Sequence, residues 1–549
     1  MKSAFLAAIF FAAIGAAGAL AQTGNRVISG FVTSADAQPL AGATVVLNES
    51  GHSGSSAETT TDAQGRFDFT ALPDGRFEVV ASRRGYARSS YDEHGGVNTA
   101  IVTGENLDTT GLVLSLAPLA SISGTVTEDS GDPVPQAQLH VFREDPMRHN
   151  AKQRANSANG DEMGNFEISE LTPGTYYVCA TGVPWYRPSR ENAYRAADQA
   201  PSPLDVAYAP SCFPDTPDPA AAEPIIVNAG AHIELNLLMH AVPAVRVSFQ
   251  IPRPEPNQGI RFPQLSQDIF GTKEFVQGAN PAFGNPNELA GGGPMTVSLT
   301  GLAPGQYEVE FPDGGPNPAP ARFGAIRASS SDLTVDMSAL QSAAAISGKV
   351  LMEDTGKPPE SGSISLIGDD VGPVSSGQIQ ADGTFHLNSG PPGNYEVRIN
   401  GSHGLLAVSQ LKINGVSKRG STLHLGSDPV ELTVIASAPI TSVSGSVVRN
   451  GKPTSGVFVL LVPEDLQAPI GAWILNQSDS DGSFVWDRVP PGRYTAVAID
   501  QGWKLDWRRP EVISPYLAHG VGIMIPPGSR SAALKSPLEA QSSVAPPAQ

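Results

Sequence analysis

A chain of 549 residues with 57 glycines and 48 prolines has too many turn formers for long helices. At 40% hydrophobic residues it is also too apolar to remain unfolded. A formal charge of −19 argues against nucleic acid or an anionic membrane surface as partner, and otherwise serves solubility. Residues 1–21 read as a secretory signal: Lys2 gives the positive start, residues 5–14 the short apolar run, and Ala19-Leu20-Ala21 a small-residue cleavage site. No Cys follows that run, which argues against a lipid anchor, and no later stretch reaches the roughly 18 apolar residues of a membrane span. The mature chain is expected to be exported, whether periplasmic, cell-surface or secreted, with no transmembrane segment once the signal is removed.

From Val27 onward one pattern repeats. An alternating strand carries a central glycine, as in Val27-Ile28-Ser29-Gly30-Phe31-Val32. It returns around Gly124, Gly348 and Gly445, with Ser248 in the same place in a third copy. The steps are roughly 100 residues, the size of a small β-sandwich. A polar turn with a proline follows, then a second strand, then a cassette of turn, strand, tight turn and strand. The first cassette joins Asp62-Ala63-Gln64-Gly65-Arg66-Phe67 to Pro73-Asp74-Gly75-Arg76-Phe77. Later copies keep Asp161…Gly164-Asn165-Phe166 with Pro173-Gly174-Thr175-Tyr176, and Asp382-Gly383-Thr384-Phe385 with Pro392-Gly393-Asn394-Tyr395. The last joins Asp481-Gly482-Ser483-Phe484 to Pro491-Gly492-Arg493-Tyr494, and a reduced copy holds only Pro304-Gly305-Gln306-Tyr307. The Asp side chain can bond the backbone two residues on, and Gly can take a positive φ, so each Asp is expected to form a turn rather than bind calcium. The cassette tyrosines are expected in the core with the hydroxyl near the sheet end. Units close on strands such as Leu112-Val113-Leu114-Ser115-Leu116 and Val430-Glu431-Leu432-Thr433-Val434. Period-two strands of about five residues, with no helical periodicity, predict an all-β chain of antiparallel sandwiches.

The glycine-bearing opening strand, the X-Pro turn, the Asp-x-x-Gly-x-Phe and the Pro-Gly-x-Tyr together resemble the carboxypeptidase regulatory-like domain. The resemblance implies a transthyretin-like (prealbumin-like) fold: a tandem array of about five Ig-like, antiparallel, seven-stranded β-sandwiches. The expected division is signal 1–21, then sandwiches 22–118, 119–241, 242–341 (divergent), 342–438 and 439–526, with a disordered Pro/Ser/Ala-rich tail 527–549. The second carries a Tyr/Pro-rich insertion at 185–218. Residues 208–216 and the closing strand resemble multi-repeat exported bacterial members. In that family the module is an accessory: it packs beside a peptidase, precedes an outer-membrane barrel, or stands in surface arrays.

The chemistry expected of an enzyme does not appear in the sequence. Zinc carboxypeptidase chemistry needs His-x-x-Glu with a distant His, and His140 is followed by Glu144 one position too late. His-Glu-x-x-His, Gly-x-Ser-x-Gly and phosphate-loop patterns are missing, and the ten histidines stand singly. We therefore expect no catalytic, cofactor or metal residue. The two cysteines, Cys179 and Cys212, suggest a disulfide in an exported chain rather than two free thiols. Trp185, Tyr186 and Tyr194 in the insertion, and Trp503 and Trp507 in a polar loop of the last unit, are the candidate ligand contacts. Aromatics beside polar groups can stack on a sugar ring or anchor a protein, although loops packed over a sandwich end use them too. The expected function is a non-enzymatic exported scaffold making envelope or extracellular protein contacts. Its alternatives are a carbohydrate-binding protein and an accessory subunit of a separate peptidase.

Overall fold

The computed structural model describes residues 25–543 apart from 51–55, 146–151, 188–201, 252, 254–261, 278, 284–293, 312–320, 369–372, 388–391, 403, 439, 467–472, 527, 528 and 530. The signal stretch and Tyr194 lie outside the described residues. The chain forms two compact units. The first holds the described residues up to Ala117, with two short segments from far along the sequence, Thr454–Gly456 and Gln477–Gly482. The remainder forms the second.

In the first unit two sheets face each other. One has three strands, with Arg26–Ser34 between Arg66–Leu72 and Leu112–Leu116. The other has Ser56–Thr60, Thr44–Glu49, Gly75–Ser82 and Ser89–Ser90 in that order, with Ile101–Thr103 also on Gly75–Ser82. Alternation sets the layer. In Arg66–Leu72, Phe67 and Phe69 point in and Asp68 out, meeting Ile28, Val45, Leu47, Phe77 and Val79 in one core.

The second unit repeats this plan around further cores. One gathers Ile122, Phe166, Tyr176 and Leu237; a second, Val247, Phe249, Val297 and Tyr307. The others hold Val350, Phe385, Tyr395 and Leu432, and Val447, Phe484, Trp486 and Leu538. The divergent stretch 242–341 is thus two-layered like the rest, with a four-stranded and a five-stranded sheet. In the last two stretches the layers join into nine-stranded sheets. Gly404–Ile413 pairs with both Gly393–Gly401 and Val430–Ser437, and Leu538–Gln541 with both Ile440–Arg449 and Gly492–Ile499.

Three features differ from expectation. First, the sheets are not purely antiparallel. In each repeat the opening strand has the cassette strand antiparallel on one side and the closing strand parallel on the other. Second, the tail is not disordered over its described length. Ser531–Ala533 and Leu538–Gln541 supply the closing strand of the last sandwich, with Leu538 in its core. Third, the segment after the last cassette contains an α-helix, Pro510–Leu517, started by a proline whose missing N–H costs nothing in the first turn. Ile513 and Tyr516, three apart, bury one face of it. Among the described residues no helix is long and apolar enough to cross a membrane.

The first two cassettes are built as the residues predict, whereas in the last two the turn is opened two residues earlier than expected, by Gln380 and Asp479 rather than Asp382 and Asp481. Asp62 Oδ1 accepts from the N–H groups of Gln64 (2.9 Å) and Arg66 (2.8 Å), and Gly65 takes φ 73°. Asp161 repeats this with Met163 and Asn165. The cassette tyrosine hydroxyls donate to a backbone carbonyl four residues upstream, Tyr176 to Thr172 at 2.8 Å and Tyr494 to Pro490 at 3.0 Å. Burial pushes Tyr494 up to about 12.

Candidate functional site

The insertion in the second sandwich is tied down by one buried carboxylate. Glu128 ends the opening strand Ala120–Glu128 and is 7% exposed. Its Oε2 accepts from Tyr208 Oη at 2.6 Å and Tyr186 Oη at 2.9 Å, and its Oε1 from Ser130 Oγ at 2.9 Å. Burial alone would raise this carboxyl, but the hydroxyls of Tyr208, Tyr186 and Ser130 outweigh it and hold the group below its ordinary range. Burial first, then Glu128, pushes Tyr208 and Tyr186 up. An ionised carboxylate accepting three hydroxyl hydrogen bonds serves as an anchor for the insertion. Tyr208 lies on Val206–Tyr208, which pairs with Ala241–Pro243, so the far end of the insertion is held by a sheet as well.

That anchor presents Trp185. Its ring meets the fixed Tyr186 ring edge-on, with centroids 5.5 Å apart at 88°, and is itself 67% exposed. Nearby in sequence to Glu128, Asp129 receives His240 Nδ1 at 2.7 Å, while His240 Nε2 meets Asp215 at 2.9 Å. The hydrogen bond to Asp129, then that to Asp215, raises the imidazole above its ordinary value. The surface of this sandwich thus offers an indole and, separately, an imidazole set between two carboxylates.

The other expected aromatics are placed differently. Trp507 is 1% exposed, packed on Phe458 beneath the helix in a second core with Trp473, Leu505 and Ile513. Its ring is not on the surface: the Arg508 guanidinium stacks over it at 4.6 Å, while Lys504 and Arg509 are exposed. Trp503 is half-buried against the same core. The expected aromatic pair in the last unit is therefore not a paired platform.

Cys179 and Cys212 form the disulfide, joining directly opposed residues of Gly174–Thr181 and Ser211–Cys212. Both are buried with Phe142, and Ile269 and Phe270 of the following sandwich pack on them. The Phe142 and Phe270 rings lie edge-on at 5.1 Å. Beside this apolar contact is a polar cluster that sequence reading missed. Arg154 Nη1 reaches both Glu274 oxygens at 2.6 and 2.9 Å, and His140 lies 3.4 Å from Glu274. Burial, with Arg154 second, lowers His140 to about 4, and burial raises Glu274. The available signal was a histidine inside the apolar strand Gln138–Glu144. No group of three His, Cys, Asp or Glu residues that could hold a metal occurs among the described residues.

Residues 27–110 and 121–208 match the carboxypeptidase regulatory-like domain. The two matches fall on the two stretches where the cassette is fullest. No curated protein matches the chain. Among solved structures, it is similar to the minor pilin GBS52 of Streptococcus agalactiae, at 12% identity over 42% of this chain and 100% of that one, with a TM-score of 0.21. It is similar also to the Bacillus anthracis TIE protein, at 10% identity over 75% and 74%, TM-score 0.17. A variant of the major pilin subunit of Bacillus cereus aligns at 9% identity over 78% and 100%, TM-score 0.15.

Proposed function

We propose that this chain is a non-enzymatic, exported scaffold of β-sandwich repeats whose loop surfaces contact proteins of the cell envelope or extracellular space. One observation supports the reading above others: successive sandwich cores run from Ile28 to Leu538, two of them in regulatory-like rather than catalytic domains. The buried Glu128 fits it too, because its oxygens are spent on holding a loop in place. A second reading, carbohydrate binding, is favoured by Trp185 alone, an exposed indole on a fixed support.

One experiment separates them. The mature chain (residues 22–549) is passed over a panel of envelope polysaccharides and, in parallel, cross-linked to envelope protein extract. Saturable glycan retention that falls about tenfold or more in Trp185→Ala carries the second reading. A single stoichiometric protein partner, with no glycan retention, carries the first. A hydrolase activity lost on a point substitution overturns both.

A further inference from the structure

The two short segments that join the first unit are held there by a dense polar contact. Asp479 is wholly buried, and the Arg76 guanidinium grips it in a two-pronged contact, Nε to Oδ2 at 2.5 Å and Nη2 to Oδ1 at 2.9 Å. The Ala100 N–H donates to the same Oδ1 at 3.2 Å. Ser480 follows the strand edge beyond: its N–H donates to Ala100 O at 2.9 Å and its Oγ accepts from Val102 N–H at 2.9 Å. Gln477 fills the other end. Its Nε2 lies 2.7 Å from both Asp92 O and Thr99 Oγ1, and its Oε1 is 3.1 Å from His94 Nδ1. Gln477, Ser478 and Asp479 have no exposed surface. Gly456 closes the set: its N–H donates to Ser478 O at 2.9 Å, and a side chain there would meet Asp92 Oδ2 at 2.7 Å.

This contact uses a repeat residue for a new purpose. Counting back three from the positive-φ glycine, Asp479 stands where Asp62 and Asp161 stand. The Gly482 N–H donates to its carbonyl at 2.9 Å, as Gly65 does to Asp62. Asp62 and Asp161 spend their carboxylates on their own turns. Asp479 instead points its carboxylate at Arg76, the residue after the Pro-x-Gly turn of the first cassette.

We propose that Arg76, Asp92, Thr99 and the Ala100–Val102 backbone form a recognition seat for an aspartate-bearing turn, and that its occupant is this chain's own Gln477-Ser478-Asp479-Ser480. Bidentate guanidinium–carboxylate geometry sets the register, and the amide of Gln477 and the hydroxyl of Ser480 read the positions on either side. A buried carboxylate that loses its cation is left uncompensated, so the seat fails when the arginine is reversed, and it holds a turn without the acid less firmly.

Hydrogen exchange on the full mature chain tests this, with Arg76→Asp, Asp479→Arg, the double exchange, and the milder Asp479→Asn. The single reversals should speed exchange about tenfold or more in peptides covering 97–103 and 476–483. Peptides from the cores around Phe67 and Phe166 should keep wild-type rates, which distinguishes an emptied seat from a misfolded chain. The double exchange should recover most of the protection, and Asp479→Asn should fall between. Single variants at wild-type rates, or a double variant no better than either single, would overturn the proposal. Protection at 476–483 that depends on protein concentration would also overturn it, by making the occupant a second copy.

Discussion

Gly124→Ala should destabilise the second sandwich selectively. Gly124 lies inside the opening strand, where glycine weakens a strand and therefore marks a close approach. A Cβ there would sit 1.8 Å from the carbonyl oxygen of Leu235 and 2.6 Å from its carbon, both backbone atoms that cannot rotate away. Relief requires the closing chain to withdraw by more than 1 Å, about the gap between 1.8 Å and an ordinary contact. That movement breaks the Leu235 N–H to Ser123 O bond of 2.8 Å and disturbs both parallel pairings flanking it. It also lifts Leu235 and Leu237 from the core. One lost hydrogen bond at about 1 kcal/mol and overpacking at about 1–3 kcal/mol give a cost of about 3 kcal/mol. Urea unfolding of residues 22–549, with exchange in peptides 120–128 and 232–239 to assign the transition, measures it. Gly445→Ala should cost less, because there the nearest atoms belong to the Phe484 ring, which can turn. The third repeat supplies the converse. Ser248 occupies the position and bonds Ser298 Oγ at 2.9 Å, so Ser248→Gly should cost about 1–2 kcal/mol through the lost bond and the looser strand. A Gly124→Ala chain within about 0.5 kcal/mol of wild type would refute the reasoning.

Two further outcomes follow from the second sandwich. Replacing both cysteines by alanine removes a link across a separation of 33 residues, a loop-closure loss of about 3–4 kcal/mol, and the reduced wild type should melt at the same lower temperature as the variant. His140, lowered to about 4, stays neutral in the folded chain while the unfolded chain takes up a proton below about 6.5. Its contribution to stability therefore falls as pH drops from about 6.5 toward 4, by about 2 kcal/mol between pH 7 and 5. Glu274, raised by burial, works the other way, favouring the folded state as pH falls through its raised value. Comparing the pH dependence of unfolding in wild type and His140→Gln isolates the histidine. A wild-type profile as flat as the variant's over that range would contradict it.

The elements that could be read in the sequence are those whose physics is local. An Asp side chain and a glycine three residues apart make a turn regardless of the rest of the chain, and alternating Phe67 and Phe69 declare a strand face. Direction of pairing has no such local mark. Leu112–Leu116 looks the same whether its neighbour runs with it or against it, and only the interior glycines hinted at the close parallel approach. Trp507 shows the same limit: charged neighbours suggested exposure, but a helix three residues on supplied the Ile513 and Tyr516 that bury it. In the last repeat the Asp-Gly pair drew attention to Asp481, whereas the spacing to Phe484 makes Asp479 the turn-opening residue.

That displacement by two residues bears on how such repeats diverge. A turn needs its opening residue's carbonyl and the glycine's N–H, and both survive in the last copy. The opening residue need not supply the carboxylate: Gln380 opens the fourth turn with the same backbone bond at 2.8 Å, and Asp382 Oδ1 accepts from the Thr384 N–H at 3.0 Å in its place. Once the backbone suffices, the side chain is free to change targets. In Asp479 it has done so without any change of residue type, so no substitution pattern within the repeats would reveal it. The information lies in what stands opposite, Arg76, about 400 residues earlier in the chain, and local sequence patterns do not carry pairings at that separation.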